Sequence, residues 1–377
     1  MNFVSIDLGA SNTRYSSNDG KINILPNSIA FIKDVNRNVA LEITDNTPEN
    51  NLDVVIYKEN DNTNWFPMRG LVGALAARYD GISETPSLLK NKIDQPINYF
   101  SAILSVAMTK YYNENFGDVI NLFVTLPPIE VTSRKEVFKN NIIGKYKVVL
   151  SRLNKTFEFT IANVACYEES RMAIVRFLTN RSKSQEERAK YMSGNILSID
   201  IGASTTDLAI FQRGRYLERT GRTYKIGGNL ARDYIINEMA SAYNAEIPYE
   251  EAEQYLAEGR ARFGNVYRDI SGIIDNAKSA VARAVIKQMD SYFSSMNIPI
   301  QTINYIVVSG GGSMGSSYID ENKVKHNTSE PMSKYITDAL SDVCDGIEVI
   351  YFGDEPRLAN ISGLTAYAMA ANGEINN

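Results

Sequence analysis

The sequence predicts an α/β protein built from two related domains, each a mixed sheet flanked by helices. Three observations predict it. The chain has 377 residues, too long for one ordinary core and about right for two. A ten-residue pattern occurs twice, as Val4-Ser5-Ile6-Asp7-Leu8-Gly9-Ala10-Ser11-Asn12-Thr13 and as Leu197-Ser198-Ile199-Asp200-Ile201-Gly202-Ala203-Ser204-Thr205-Thr206, identical at seven of the ten positions. Each copy also has the same surroundings: a short apolar run that breaks at glycine, then a second strand. The copies lie 193 residues apart, about one domain length.

The elements follow in order. After the first copy, Arg14-Tyr15-Ser16 continues as a strand, and Asn18-Asp19-Gly20-Lys21 turns it back into Ile22-Asn23-Ile24-Leu25, because Asp-Gly suits the positive φ angles of two-residue hairpins. The Asn/Asp-rich stretch Thr44 to Asn64 reads as a loop-rich part of an insertion over about 30–95. Val164, Tyr167, Ile174, Val175 and Leu178 predict a helix over Val164 to Leu178, although Arg171 interrupts the stripe. Thr179 to Arg188 is polar throughout and reads as a solvated connection.

The second copy repeats the plan. Asp207 to Phe211 is a strand, Arg213-Gly214-Arg215 a turn and Tyr216-Leu217 its return. Ala231 to Ala240 has a helical pattern, and the polar stretch Ile247 to Met296 predicts a helical insertion, about 230–298 in all. Tyr305 to Ser309 is a buried-strand run that ends in Gly310-Gly311-Gly312-Ser313-Met314.

Composition excludes several chemistries. Cys166 and Cys344 are the only cysteines, too few for a disulfide framework or a zinc site. His326 is the only histidine, which rules out multi-histidine metal centres and leaves no basis for a Ser-His-Asp triad; its polar surroundings mark it as a surface residue. With 39 basic and 44 acidic side chains the net charge is −5, which gives no global footprint for nucleic acid. No run approaches the length of a membrane span and the start lacks a signal-peptide pattern. A cytoplasmic location is expected.

The paired pattern itself suggests a ligand. Glycine lets backbone approach closely, and successive N–H groups with Ser/Thr hydroxyls form an anion-binding concavity. A carboxylate at the strand tip repels phosphate but can hold a hydrated Mg²⁺, which prefers one or two carboxylates plus phosphate oxygens and water. Asp7 and Asp200 are the candidates for that metal. Alone, each copy reads equally well as a tight turn with a polar tip; as a matched pair they favour polyphosphate. The run Gly310-Gly311-Gly312 would leave room for a flat ligand. Gly227-Gly228-Asn229 precedes a helix and either offers helix N–H groups to a ligand or marks a close-packed helix start.

These residues, in this order, resemble the actin-like ATPase superfamily, closest to its ParM-type plasmid-segregation proteins. The fold implied is a pair of actin/ribonuclease-H-like domains around a nucleotide cleft: domain I over 1–165 plus about 345–377, domain II over about 166–344. The resemblance identifies Gly9, Ala10, Ser11, Asn12, Thr13 and Arg14 as the first phosphate motif and Gly202, Ala203, Ser204, Thr205 and Thr206 as the second. Gly310, Gly311, Gly312 and Ser313 match the adenosine motif. Val164 to Leu178 and Pro356 to Leu364 correspond to the connecting helices. The Ala359-Asn360 to Gly363 wording and the pair Glu169-Ser170 carry the narrower likeness.

The resemblance implies hydrolysis of ATP, or GTP, with Mg²⁺. Asp200 would organise the metal, and Glu169, with Glu168 as the alternative, would polarise the attacking water; a helix-start charge effect would also explain that pair. One position departs from the family: where it usually has a lysine reaching the phosphates, this chain has Arg14, whose planar fork is not equivalent to a point charge. Self-association into filaments and a small DNA-binding adaptor are expected partners, with no direct nucleic acid and no membrane. A small-molecule kinase on the same scaffold and a non-polymerising switch are the alternatives; the stretch Ala368 to Asn377 does not read as the amphipathic helix expected of a membrane-bound switch. The basic residues Arg213, Arg215, Arg219, Arg222 and Lys225 read first as a solvated hairpin face, and second as a contact for DNA or an acidic adaptor.

Overall fold

Both copies of the repeat open a β-meander in a computed structural model of the protein, which describes residues 2–37, 39, 47–61, 63–79, 84–87, 90–180, 182–244, 246–341, 343–344, 346–353 and 355–375. The chain divides into two compact units, Met1–Arg176 with Asn360–Asn377, and Phe177–Ala359.

In the first unit the strands are β1 (Asn2–Leu8), β2 (Asn12–Ser17), β3 (Asn23–Pro26), β4 (Ile29–Phe31), β5 (Asp53–Lys58), β6 (Met68–Val72), β7 (Val119–Leu126), β8 (Gly144–Leu150) and β9 (Lys155–Glu168). They form one sheet in the order β3-β2-β1-β7-β9-β8-β5-β6-β4. The helices are α1 (Ala74–Arg78), α2 (Pro96–Tyr112), α3 (Pro128–Ile142) and α4 (Glu169–Thr179), whose last turn passes into the second unit. Alternation along β1 sorts its side chains between two cores. Val4, Ile6 and Leu8 join a large cluster with α2, while Phe3 meets Phe123, Met172, Leu364 and Ala368 on the other face.

The second unit contains α5 (Gln185–Ser193), β10 (Asn195–Ile201), β11 (Thr206–Gln212), β12 (Arg215–Tyr216), β13 (Arg222–Tyr224), α6 (Gly228–Tyr243), α7 (Tyr249–Glu258), β14 (Arg260–Phe263), β15 (Val266–Asp269), α8 (Ser271–Met296), β16 (Tyr305–Ser309), β17 (Ser317–Ile319), β18 (Lys325–Asn327), α9 (Met332–Ser341) and β19 (Glu348–Tyr351). Helix α10 (Ala359–Ile375) then returns the chain to the first unit. The main sheet runs β12-β11-β10-β16-β19, with β13 also paired to β11. Leu197, Ile199 and Ile201 of β10 pack into a core with Ile235 of α6 and Val281 and Val285 of α8.

The duplication extends to topology. In the first unit β1 is antiparallel to β2 and parallel to β7, and β7 is parallel to β9. In the second, β10 is antiparallel to β11 and parallel to β16, and β16 is parallel to β19. The two turns predicted from Asp-Gly and Arg-Gly are both tight: Gly20 has φ 72°, and Arg213 and Gly214 have φ 49° and 75°.

Four expectations need correction. The helix expected from Val164 begins at Glu169, because β9 continues to Glu168 in parallel pairing with β7. Val164 and Cys166 face one core while Ala165 and Tyr167 face the other; the true period there is two, and the helical spacing was coincidental. The polar stretch after Thr179 contains α5, started by a capping box between Ser184 and Glu187. The Thr44 to Asn64 stretch contains strand β5, built on Val54-Val55-Ile56, while residues 44–46 and 62 lie outside the described residues. The expected helical insertion is interrupted by the β14–β15 hairpin. Among the described residues no helix is long and apolar enough to cross a membrane. His326 is partly exposed, stacked on Tyr318 and hydrogen-bonded to Asp320 at 2.9 Å.

Candidate functional site

Each unit carries one strand-tip carboxylate followed by one tight polar turn. In the first, Asp7 is 4% exposed at the end of β1. Thr125 of β7 donates to its Oδ1 at 2.7 Å, and the Arg14 guanidinium approaches Oδ2 at 3.4 Å. Gly9, Ala10 and Ser11 make the turn, and Asn12, Thr13 and Arg14 begin β2. A Cβ at Gly9 would lie 2.6 Å from the Asn12 carbonyl oxygen, so the turn closes only around glycine.

A residue the sequence did not mark fastens this turn. Asn27 is fully buried. Its Nδ2 donates to the Gly9 carbonyl at 2.5 Å, its backbone N–H to the Ser11 carbonyl at 3.0 Å, and its Oδ1 accepts from Thr13 Oγ1 at 2.8 Å. Ser101 of α2 donates to the same oxygen at 3.1 Å. No motif spacing announces Asn27. Thr125 had a signal, a hydroxyl residue in the otherwise apolar run Val124 to Leu126.

The second unit builds its turn by a different route. Asp200 is 5% exposed at the end of β10, and the register sets Asp207 and Ser309 beside it. The Gly202 N–H donates to the Thr205 carbonyl at 2.8 Å. The Gly228 and Asn229 N–H groups donate to the carbonyls of Gly202 and Ala203 at 3.0 and 2.7 Å, and Asn229 Nδ2 reaches Ser204 Oγ at 2.6 Å. Gly227 permits this contact, since a Cβ there would lie 2.7 Å from the Ala203 backbone. The close-packed helix start, one of the two readings of Gly227-Gly228-Asn229, is present. Those two N–H groups serve the turn, and Asn229 plays the part that Asn27 plays in the first copy.

The glycine run joins the same place. A Cβ on Gly310, at φ 88°, would lie 2.2 Å from Asp200 Oδ1, and one on Gly312 would lie 2.7 Å from Ile201 Cγ2. Gly311 has room for a Cβ, with nothing nearer than 3.9 Å. Ser313 is buried and its hydroxyl donates to the Gly310 carbonyl. Close packing on the end of β10 therefore accounts for Gly310 and Gly312, and the second unit gathers Asp200, Gly202 to Thr206, Gly227 to Asn229 and Gly310 to Ser313 at one end of its sheet.

The remaining candidates lie in the first unit. Glu168 ends β9, 5% exposed, with Arg171 at 3.8 Å. Glu169 opens α4 and pairs with Lys92 Nζ at 2.5 Å. Lys92 is itself held by its backbone N–H on Glu130 at 2.9 Å.

Comparison with known proteins bears on these meanders. Residues 198–317 match the family described as archaeal actin homologue MreB-like, C-terminal. Among solved structures, the actin-like protein Alp7A superposes with a TM-score of 0.68 at 18% identity, over 99% of this chain and 97% of that one. A 15-stranded ParM filament from Clostridium botulinum gives 0.67 at 17% identity, over 98% and 99%. The fold is actin-like. Bacillus thuringiensis ParM with ATP gives 0.62 at 15% identity, over 99% of both chains. No curated protein matches the chain in sequence. In this actin-like fold the two repeat turns occupy topologically equivalent positions, one per unit, as the shared strand order requires.

Among the described residues, Arg14 Nε and Ser309 Oγ are both buried without a hydrogen-bond partner, a cost of about 1–3 kcal/mol each that a bound ligand or water would relieve. Both stand beside a strand-tip aspartate, Arg14 opposite Asp7 and Ser309 opposite Asp200. A cationic donor and a hydroxyl are the groups that a phosphate chain uses. No group of three or more His, Cys, Asp or Glu that could hold a metal ion gathers among the described residues.

Proposed function

We propose that the protein is a nucleotide-hydrolysing actin-like filament protein. The observation that carries this reading is the repeated turn, Asp-x-Gly-Ala-Ser-x-Thr, placed at equivalent points of two units with the same strand order and fastened each time by an asparagine. Each turn is built to take phosphate of ATP or GTP, with Arg14 supplying in the first the cation that the family draws from lysine. Asp7 and Asp200 are the carboxylates that would hold a hydrated Mg²⁺, whose charge would offset that of the phosphates. Glu169 orients the attacking water, for which it must leave Lys92; Glu168 is the alternative. Likeness to a ParM filament supports assembly, and likeness to ParM with ATP supports the nucleotide.

Assembly follows if the nucleotide binds the assembling conformation more tightly than the other, since only differential affinity shifts such an equilibrium. Carriage of plasmid DNA through a small adaptor belongs to the same reading and rests on the ParM likeness alone. The test is light scattering and phosphate release from purified protein with Mg²⁺ and ATP or GTP. Scattering that rises with nucleotide and falls as phosphate is released supports the proposal. Flat scattering well above micromolar protein, or turnover that needs an added sugar-like acceptor, overturns it.

A further inference from the structure

The basic residues after the second repeat remain unused by this site. Arg213, Arg215, Arg219, Arg222 and Lys225 are all exposed, on the β12–β13 edge of the sheet, with Glu218 the only carboxylate among residues 213–225. Among the described residues none of the five forms an ion pair. Arg222 instead donates to the carbonyls of Arg219 and Gly221. Five unneutralised cations on one edge of a protein of net charge −5 form a local field of the opposite sign.

The next 33 residues reverse it. Residues 226–258 contain seven carboxylates and one cation. Asp233, Glu238, Glu246, Glu250, Glu251 and Glu253 are exposed on or beside α6 and α7. The single cation, Arg232, is buried against Tyr249, its guanidinium 3.2 Å from the ring centroid, and its Nη1 pairs with Glu253 at 3.5 Å, so it offsets one of these six exposed carboxylates. One unit thus displays a basic sheet edge and an acidic helix pair.

We infer that these two surfaces are partners in trans: the basic β12–β13 edge of one copy of the chain docks on the acidic α6–α7 surface of the next. The inference rests on the filament reading and names its contact. Charge complementarity identifies the occupant, because the chain itself supplies a surface of the matching sign. Two different patches that complement each other make a heterologous contact, which propagates head to tail into a ring or an open helical filament.

Charge exchange tests it. R215E/R219E makes the basic edge acidic, and E246K/E250K makes the acidic surface basic; neither pair lies in the nucleotide site. Each variant alone should raise the nucleotide-dependent critical concentration about ten-fold, about 1.4 kcal/mol of contact energy, with nucleotide affinity unchanged. Mixed one to one, the two variants should assemble near the wild-type concentration, because alternating copies restore opposite charges at every contact. Misfolded variants would not rescue each other, so rescue excludes that explanation. Wild-type filaments with single variants that assemble normally, or variants that fail alone and together, overturn the contact while leaving the filament reading intact. A wild-type chain that never assembles overturns both.

Discussion

Arg14 lies opposite Asp7 across β1 and β2, its Nη1 3.4 Å from Asp7 Oδ2, whereas the same register of the second repeat sets Asp207 opposite Asp200. The two copies are thus electrostatically unequal. The first pairs its strand-tip carboxylate with a cation; the second sets two carboxylates side by side and ties Asp207 to Thr223 Oγ1 at 2.5 Å. A phosphate chain would meet its fixed positive charge in the first copy, on a guanidinium whose Nε has no hydrogen-bond partner among the described residues.

Arg14→Ala should therefore lower nucleotide affinity about 10- to 100-fold, the value of one charged hydrogen-bonding group, about 1.5–3 kcal/mol. Arg14→Lys should lose less than ten-fold, since an ammonium keeps the charge and loses only the fork geometry. Titration with a fluorescent nucleotide reads both. Equal affinity for R14A and the wild type would remove Arg14 from the site.

Asn27 makes a separate case, because its side chain fastens the first turn to Gly9, Thr13 and Ser101. Asn27→Ala strands the Gly9 carbonyl and the hydroxyls of Thr13 and Ser101 in a buried place. A loss of about 2–3 kcal/mol of stability is expected, together with weaker nucleotide binding as the turn loosens. Thermal melting with and without nucleotide separates the two effects. A variant that melts like the wild type would show that water replaces the side chain.

Much of this was legible in the sequence, and the reasons are local. The repeat, its strands and its turns depend on short-range features, namely apolar runs broken at Gly9 and Gly202 and turn residues such as Gly20 and Gly214. The extent of β9 was not legible because Val164 to Tyr167 takes its conformation from pairing with β7, about 40 residues earlier. Helix α5 was legible and missed, since Ser184-x-x-Glu187 is a capping signal inside a polar stretch. At the site the carboxylates and glycines could be read from spacing. Asn27 and Lys92 could not, because tertiary packing alone brings them to Gly9 and Glu169.

Glycine substitutions separate crowding from backbone preference. Gly310 and Gly264 both have positive φ, 88° and 60°, but Gly310 is crowded, with Asp200 Oδ1 2.2 Å and the Ile201 carbonyl oxygen 2.4 Å from a Cβ; among the described residues nothing lies within 4 Å at Gly264. Gly264→Ala should cost about 1–2 kcal/mol, the left-handed penalty alone. Gly310→Ala should cost several kcal/mol more and weaken nucleotide binding by displacing Asp200. At about 2–4 °C per kcal/mol, melting resolves the difference. Equal melting temperatures would mean that the β10 end yields without strain.

Lys278 of α8 gives the last prediction. Its ammonium is buried and donates to the Met314 carbonyl at 2.9 Å, Ser329 Oγ at 2.6 Å and the Glu330 carbonyl at 3.1 Å. Burial pulls its pKa down to about 8, against the opposing pull of Asp275 and Glu330. The sign follows from proton counts. Between pH about 8 and the ordinary lysine value near 10.4 the unfolded chain holds a proton that the folded chain has released, so this group makes stability rise with pH there, by at most about 1.4 kcal/mol per unit. Below pH 8 both states are protonated and the contribution is flat. Lys278→Met removes the titration. The wild-type minus K278M stability, measured by melting from pH 7 to 10, should therefore be level to about pH 8 and then climb. A difference that stays level throughout would place the Lys278 proton at its ordinary affinity and deny the desolvation that its burial implies.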